Sequence, residues 1–185
     1  MDHDEIVALT HEYGGQWAIG HADRLIATVS AVSEGALYDT ETIWLAAHLH
    51  DWGGYAKWIV PGTNHAARSV EVVGEFLAAR ACPAALAAAV LECIEYHHGG
   101  PTGRSIESNL FTDADALDLL GAVGFARVFA MNHRDLRKGV ASLRRHRDAS
   151  EKAITLASSR RIAEPRMQEL DRLLESFEQE TGGVY

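Results

Sequence analysis

The sequence predicts an all-α fold, on three observations. Apolar residues recur at three- and four-residue spacing in one segment after another, the signature of amphipathic helices. No segment alternates apolar and polar residues as a half-buried strand does. Alanine is abundant and runs of β-branched residues are short, which favours the helical backbone.

Taken in order, a first short helix is expected over about 4–13, ended by Gly14-Gly15. The next carries His21, Arg24, Leu25, Thr28 and Val29, a spacing that puts His21 and Arg24 on its inner side, and Gly35 closes it. In the third, Ile43, Ala46 and Ala47 are followed one helical step later by His50, so His50 lies on the buried stripe. Asp51 is the next residue, about 100° round the helix, and a short carboxylate there still reaches past the imidazole. His48 falls on roughly the opposite side, and Gly53-Gly54 stops the helix.

Pro61-Gly62-Thr63 opens the fourth helix, with Thr63 as its N-cap. Ala66, Val70, Val73 and Leu77 make its apolar stripe, and His65 sits one step off, in line with Ser69, Val72 and Phe76. After Cys82-Pro83 comes an alanine-rich helix to His98, closed by Gly99-Gly100-Pro101, with Val90, Ile94 and His97 sharing a face. From Thr112 a helix reads Asp113, Ala116, Leu117, Leu120 and Gly124 down one face, and Asp115, Asp118 and Ala122 down another. An amphipathic tail over 148–180, broken near Pro165, turns Met167, Leu170, Leu173, Leu174 and Phe177 inward. No repeat or linker divides the chain. It reads as a single domain over 1–185, with 148–180 as a C-terminal helical extension packed on it.

A chain of 185 residues buries roughly 70% of its unfolded surface. The net charge of −9 argues against a nucleic-acid groove or an anionic membrane as the main partner. A small phosphorylated substrate stays compatible with it, because a bound cation and a few arginines can dominate one pocket. Cys82 and Cys93 form no Cys-x-x-Cys pair and lie in apolar surroundings, as inert thiols do. The first residues lack the basic region and apolar core of a signal peptide, and the longest apolar run, 83–91, is too short to span a bilayer. A cytoplasmic protein is expected.

An imidazole and a carboxylate at the inner end of an apolar helix are costly to bury unless something compensates them, and a divalent ion would. Alone, the His50-Asp51 pair reads first as a satisfied core histidine beside an ordinary acid near a helix end. Singly, His21 reads as a surface histidine at a helix start, and Asp113 as an acid complementing a helix dipole behind Thr112.

The order and approximate spacing of His21, His50-Asp51 and Asp113 resemble the HD superfamily of metal-dependent phosphohydrolases. The similarity takes in His65, the run Ile94-Glu95-Tyr96-His97, the acidic run from Asp113 to Asp118, and the stretch from Gly121 to Arg127. It covers the chain from about Trp17 to Glu180, and is most like the small stand-alone bacterial members. The resemblance implies an HD-domain helical bundle with a metal site in its core. His21, His50, Asp51 and Asp113 would hold one divalent ion (Mn, Mg, Fe, Co, Ni or Zn), and a second ion is left open. Such a mixed nitrogen-oxygen set leaves two positions open on an octahedral ion. The ion would make a nucleophile of water near neutral pH and offset charge on a phosphoryl group.

Other residues enter on weaker grounds. In some HD proteins, histidines at the places of His65 and His97 bind a second metal; in others they face the substrate phosphate. The expectation here is one metal, with His65 and His97 at the substrate, since beyond Asp51 no acid is evident to complete a second site. His98 is the weaker neighbour, because a cation before a glycine also suits a helix C-terminus. Arg24 and Arg127 would either clamp a phosphate or pair with nearby acids, and Lys57 is a further phosphate candidate. Asp115 and Asp118 face away from Asp113 and suit supporting roles. Some relatives carry a histidine four residues before the first ligand; Trp17 stands there and suits a pocket wall.

The expected activity is hydrolysis of a small phosphate ester or a nucleotide through a metal-activated water. One alternative is an HD domain without turnover that serves as a nucleotide- or metal-binding module. Another is a plain helical interaction protein. A homodimer is compatible with the sequence.

Overall fold

Asp2 accepts the Glu5 N–H at 3.2 Å and caps the first helix, α1 (His3–Val32). In the computed structural model, which describes residues 1–185, it is followed by α2 (Thr40–Leu49), α3 (His65–Ala79), α4 (Ala84–Glu95), α5 (Ile106–Asp118), α6 (Gly121–Met131), α7 (Leu136–Ala153) and α8 (Ala157–Thr181). A 3-10 turn over Trp52–Gly54 is the only other regular element, and there is no strand. The all-α expectation holds. No helix is long and apolar enough to cross a membrane.

The local rules that place these elements are mostly polar caps. The Asp39 carboxylate caps α2, and Asn64 Oδ1 accepts the Ala66 and Ala67 N–H groups at 2.9 and 3.3 Å to cap α3. The cap of α3 is therefore Asn64, not Thr63. Gly14-Gly15 does break the first helical segment: Gly15 takes φ 68° and ψ −172°, which glycine alone adopts freely, yet helix resumes at once and carries His21.

Two further expectations are corrected. The helix foreseen from Thr112 to Gly124 begins earlier, at Ile106, and is two helices, because Gly121 turns the chain at φ 67°. The C-terminal helices part over 154–156, where Ile154 and Leu156 are extended, and Pro165 lies inside α8 without ending it. Ala163, Leu170 and Leu174 on either side of that proline are buried, and their packing carries the helix past the missing N–H. His48 is buried as well: it donates from Nδ1 to the Trp44 carbonyl at 2.9 Å and stacks on the Trp44 ring.

By contact density the chain forms two compact units, 1–112 and 113–185, with α5 running through the division. In the first, Ile6, Leu45, Leu49, Trp52, Val72, Val73, Leu77, Val90 and Ile94 form one apolar core. Each such side chain contributes about 1.5–3 kcal/mol by leaving water. Trp52 directly follows the His50-Asp51 pair. Its ring is buried in this core, stacks on Trp58 at 4.7 Å and donates to Thr10 Oγ1 at 3.0 Å, so the residue after the pair is anchored on every side. In the second unit, Phe129 contacts both Phe125 and Phe177 with ring centroids 4.8 Å apart, and Leu143, Leu170 and Leu174 are buried.

Candidate metal centre

His21 and His50 come to the site from the inner faces of α1 and the C-cap of α2, as the apolar spacing foretold. Both are buried, and their Nε2 atoms lie 3.2 Å apart. His50 Nδ1 lies 3.1 Å from the Ala47 carbonyl oxygen. A carbonyl can only accept, so Nδ1 carries the proton, and the Nε2 lone pair of a neutral ring faces His21 and Asp51. Asp51 Oδ2 is 3.3 Å from that Nε2.

A second group converges from later elements. His65 opens α3; His97 and His98 lie in the turn beyond α4. His65 Nε2 is 3.2 Å from His97 Nε2 and 3.0 Å from His98 Nε2. His97 Nδ1 donates to the Ile94 carbonyl at 2.7 Å, so its lone pair too is turned into the cluster. His97 is buried, His65 half-buried and His98 exposed, giving the group a dry end and a wet end.

Asp51 links the two groups. Its Oδ1 is 3.6 Å from His65 Nε2, while Oδ2 faces His50. Partial burial alone would raise the Asp51 carboxyl, but the His50, His21 and His97 rings hold it well below the usual carboxylate range. Tyr55, beside the turn, goes the other way: burial and the Asp51 charge push its phenol up. Ring nitrogens fixed by backbone carbonyls, gathered round an ionised carboxylate, are the donor set and the supporting bonds of a divalent-metal site. The groups His21/His50/Asp51 and His65/His97/His98 each bring their ligand atoms within 4.8 Å of one another, so the residues present fit a metal.

The remaining candidates are placed differently. Both oxygens of Asp113 are engaged at the head of α8: Oδ1 accepts the Thr155 N–H at 2.9 Å and Oδ2 the Leu156 N–H at 2.8 Å. Asp115, two residues on, is buried as well. Arg127 Nη1 meets Asp118 Oδ2 at 2.5 Å with both side chains buried, which is the acid-pairing alternative for Arg127. Lys57 holds its ammonium 4.0 Å over the Tyr13 ring and 4.8 Å over Trp58, in a cation–π contact. Arg24 lies half-buried one turn beyond His21, and Trp17 is largely exposed.

Two residues that frame the site, Gly53 and Ser69, were read in the sequence only as a helix stop and a helix-face neighbour. Gly53 is buried so tightly that a Cβ on it would lie 2.3 Å from Ser69 N and 2.6 Å from the His65 carbonyl oxygen. That close approach brings the start of α3, and with it His65, against the Asp51 turn. Ser69 receives the Gly53 N–H at 2.8 Å. The one signal for it was its place in line with His65 and Val72.

An all-helical chain with His/Asp groups that could hold a metal defines the class, and the comparisons name the family. The HD domain family model matches residues 19–120, more than half of the chain, and the chain belongs to that family. Solved structures agree on the fold. Bacillus subtilis YpgQ, in a complex with ADP, is 23% identical with a TM-score of 0.67, over 98% of this chain and 99% of that one. A predicted HD superfamily hydrolase from an uncultured Thermotogales bacterium is 23% identical with a TM-score of 0.66, over 96% and 92% of the two chains. An HD-superfamily hydrolase from Bacillus thuringiensis is 21% identical with a TM-score of 0.65, over 97% and 96%. No curated protein matches the sequence.

Proposed function

We propose that the chain is a metal-dependent phosphohydrolase that holds two divalent ions and acts on a phosphate ester, with a nucleotide as the favoured class. One observation carries the reading: the two oxygens of Asp51 face different histidine groups, Oδ2 at 3.3 Å from His50 and Oδ1 at 3.6 Å from His65. A carboxylate so placed would serve as the bridge that a second ion requires, which supports two metals over one. When bound, the ions supply an acidified water and offset negative charge on the phosphoryl oxygens. The protein's own part is to hold the donors in place. Ala47 and Ile94 carbonyls fix the tautomers of His50 and His97 so that lone pairs, not protons, face inward. His98 stands at the exposed rim, so a substrate would approach the second site from that end.

His21, His50 and Asp51 form the first site and His65, His97 and His98 the second. For the carboxylate that the acidic run of α5 contributes to the first site, Asp113 is the residue implied by the HD resemblance. Its two oxygens also accept the Thr155 and Leu156 amides. The nucleotide preference rests on the ADP bound by YpgQ, a neighbour in fold. The test is metal analysis of protein purified without an affinity tag, followed by a Mn²⁺-supplemented screen of phosphate monoesters and nucleotides. About two ions per chain and turnover of at least one nucleotide are expected. Metal-free protein with no turnover after reloading overturns the proposal.

A further inference from the structure

We infer that Arg104 is the positioning residue that holds His97 and His98 in ligating geometry; this rests on the two-ion reading above. These two histidines lie beyond Glu95, the last residue of α4, where no helical hydrogen-bond ladder fixes the chain. Something else must hold the turn, and the preceding carbonyl shows what does. Tyr96 O accepts the Gly99 N–H at 2.8 Å, the Thr112 hydroxyl at 2.9 Å and Arg104 Nη1 at 3.4 Å.

Arg104 organises that set. Its Nη1 also donates to Thr112 Oγ1 at 2.7 Å and to Ser108 Oγ at 3.3 Å, and its Nε donates to the Pro101 carbonyl at 3.1 Å. With its oxygen filled by the guanidinium, the single Thr112 proton is directed at carbonyls, Tyr96 O at 2.9 Å or Ser108 O at 2.8 Å. One cation therefore ties the turn after α4, the Gly-Pro loop and two buried side chains of α5 into a unit. A positive group at the C-terminal end of α4 is also favoured by the helix dipole. The loop has no slack: Gly100 lies against the Tyr96 ring, where an added Cβ would come within 2.6 Å of Cδ1. Glu92 secures the far side by accepting the Ser105 N–H at 3.2 Å.

Outer partners of this kind govern metal affinity, and their loss weakens binding by about 10–100-fold. The test is equilibrium dialysis of the full chain against Co²⁺, with thermal melts alongside. His97→Ala identifies which of the two ions belongs to the second site. Arg104→Gln is expected to weaken that ion by about 10–100-fold while leaving the other at wild-type affinity. Arg104→Lys, which keeps the charge but loses the fork, should recover part of the loss. Should Arg104→Gln not fold, Thr112→Val keeps the volume, removes the hydroxyl and carries the same test. Wild-type affinity at both sites, or an equal fall at both with a lowered melting temperature, overturns the role of Arg104 alone. A wild-type chain that takes up one ion, unaffected by His97→Ala, removes the second site and this role together.

Discussion

The Gly53 N–H donates to Ser69 Oγ at 2.8 Å, joining the turn after Asp51 to the second turn of α3. With no side chain on Gly53, the backbone of α3 lies directly against the turn. Gly53→Ala places a Cβ 2.3 Å from Ser69 N and 2.7 Å from Arg68 C, and neither backbone atom can swing aside. Overpacking typically costs about 1–3 kcal/mol, and a clash with backbone belongs at the upper end. Ser69→Ala leaves the buried Gly53 N–H without its acceptor, at about 1–3 kcal/mol. Urea denaturation checks both; an unchanged midpoint for Gly53→Ala would show that α3 moves away freely.

Asp51→Asn keeps the size of the side chain and removes the charge that faces both histidine groups. We expect it to lower the bound metal to below one ion per chain and to abolish phosphate-ester hydrolysis, with helicity unchanged. Metal analysis with circular dichroism reads this out. Wild-type metal content in Asp51→Asn would show that the carboxylate does not bridge.

The fold and the burial of His50 were legible from helical periodicity, whereas the grouping of His21 with His50 and Asp51 came from the HD resemblance. His50 continues the stripe of Ile43, Ala46 and Ala47, and the structure buries it as that spacing requires. What periodicity could not supply was anything set by tertiary contact. His48 falls off the stripe that carries His50, yet the Trp44 ring stacks over it and it is buried. The tail was expected to break at Pro165, yet it breaks at Ile154–Leu156, where Ile154 and Leu156 take extended conformations that no local turn signal announces. The tie between Arg104 and Thr112 spans eight residues and a loop, a distance at which no spacing rule applies.

Arg127 and Asp118 make a buried ion pair, and breaking one side strands a charge. Asp118→Ala should cost about 3–5 kcal/mol, whereas the double change Arg127→Met/Asp118→Leu should cost less than Asp118→Ala alone. Chemical denaturation of the three proteins decides it. A double mutant less stable than Asp118→Ala would show that Arg127 has a purpose beyond the pair.

Cys93 is fully buried, and burial in the apolar core pushes its thiol well above the ordinary range; Cys82 is half-buried and shifted the same way. A raised pKa lowers the thiolate fraction at any given pH, and the thiolate is the reactive form. Native protein at pH 8 should therefore react with an aromatic disulfide reagent at no more than one thiol, with the second appearing only on unfolding. Rapid titration of two thiols in the native state contradicts this placement.

Asp113 and Asp115 stand two residues apart on α5, and both are buried. Asp113 is spent on the amides of Thr155 and Leu156, the residues that lead into α8. Removing it leaves amides unsatisfied at a helix start, a loss of about 0.5–2 kcal/mol by analogy with an N-cap. Asp113→Asn can still accept one of those bonds and should fall between wild type and Asp113→Ala. Asp113→Ala is therefore expected to lower the melting temperature while leaving helicity largely intact. Thermal melts followed by circular dichroism check it, and a wild-type melting temperature in Asp113→Ala would show that water replaces the carboxylate at those amides without cost.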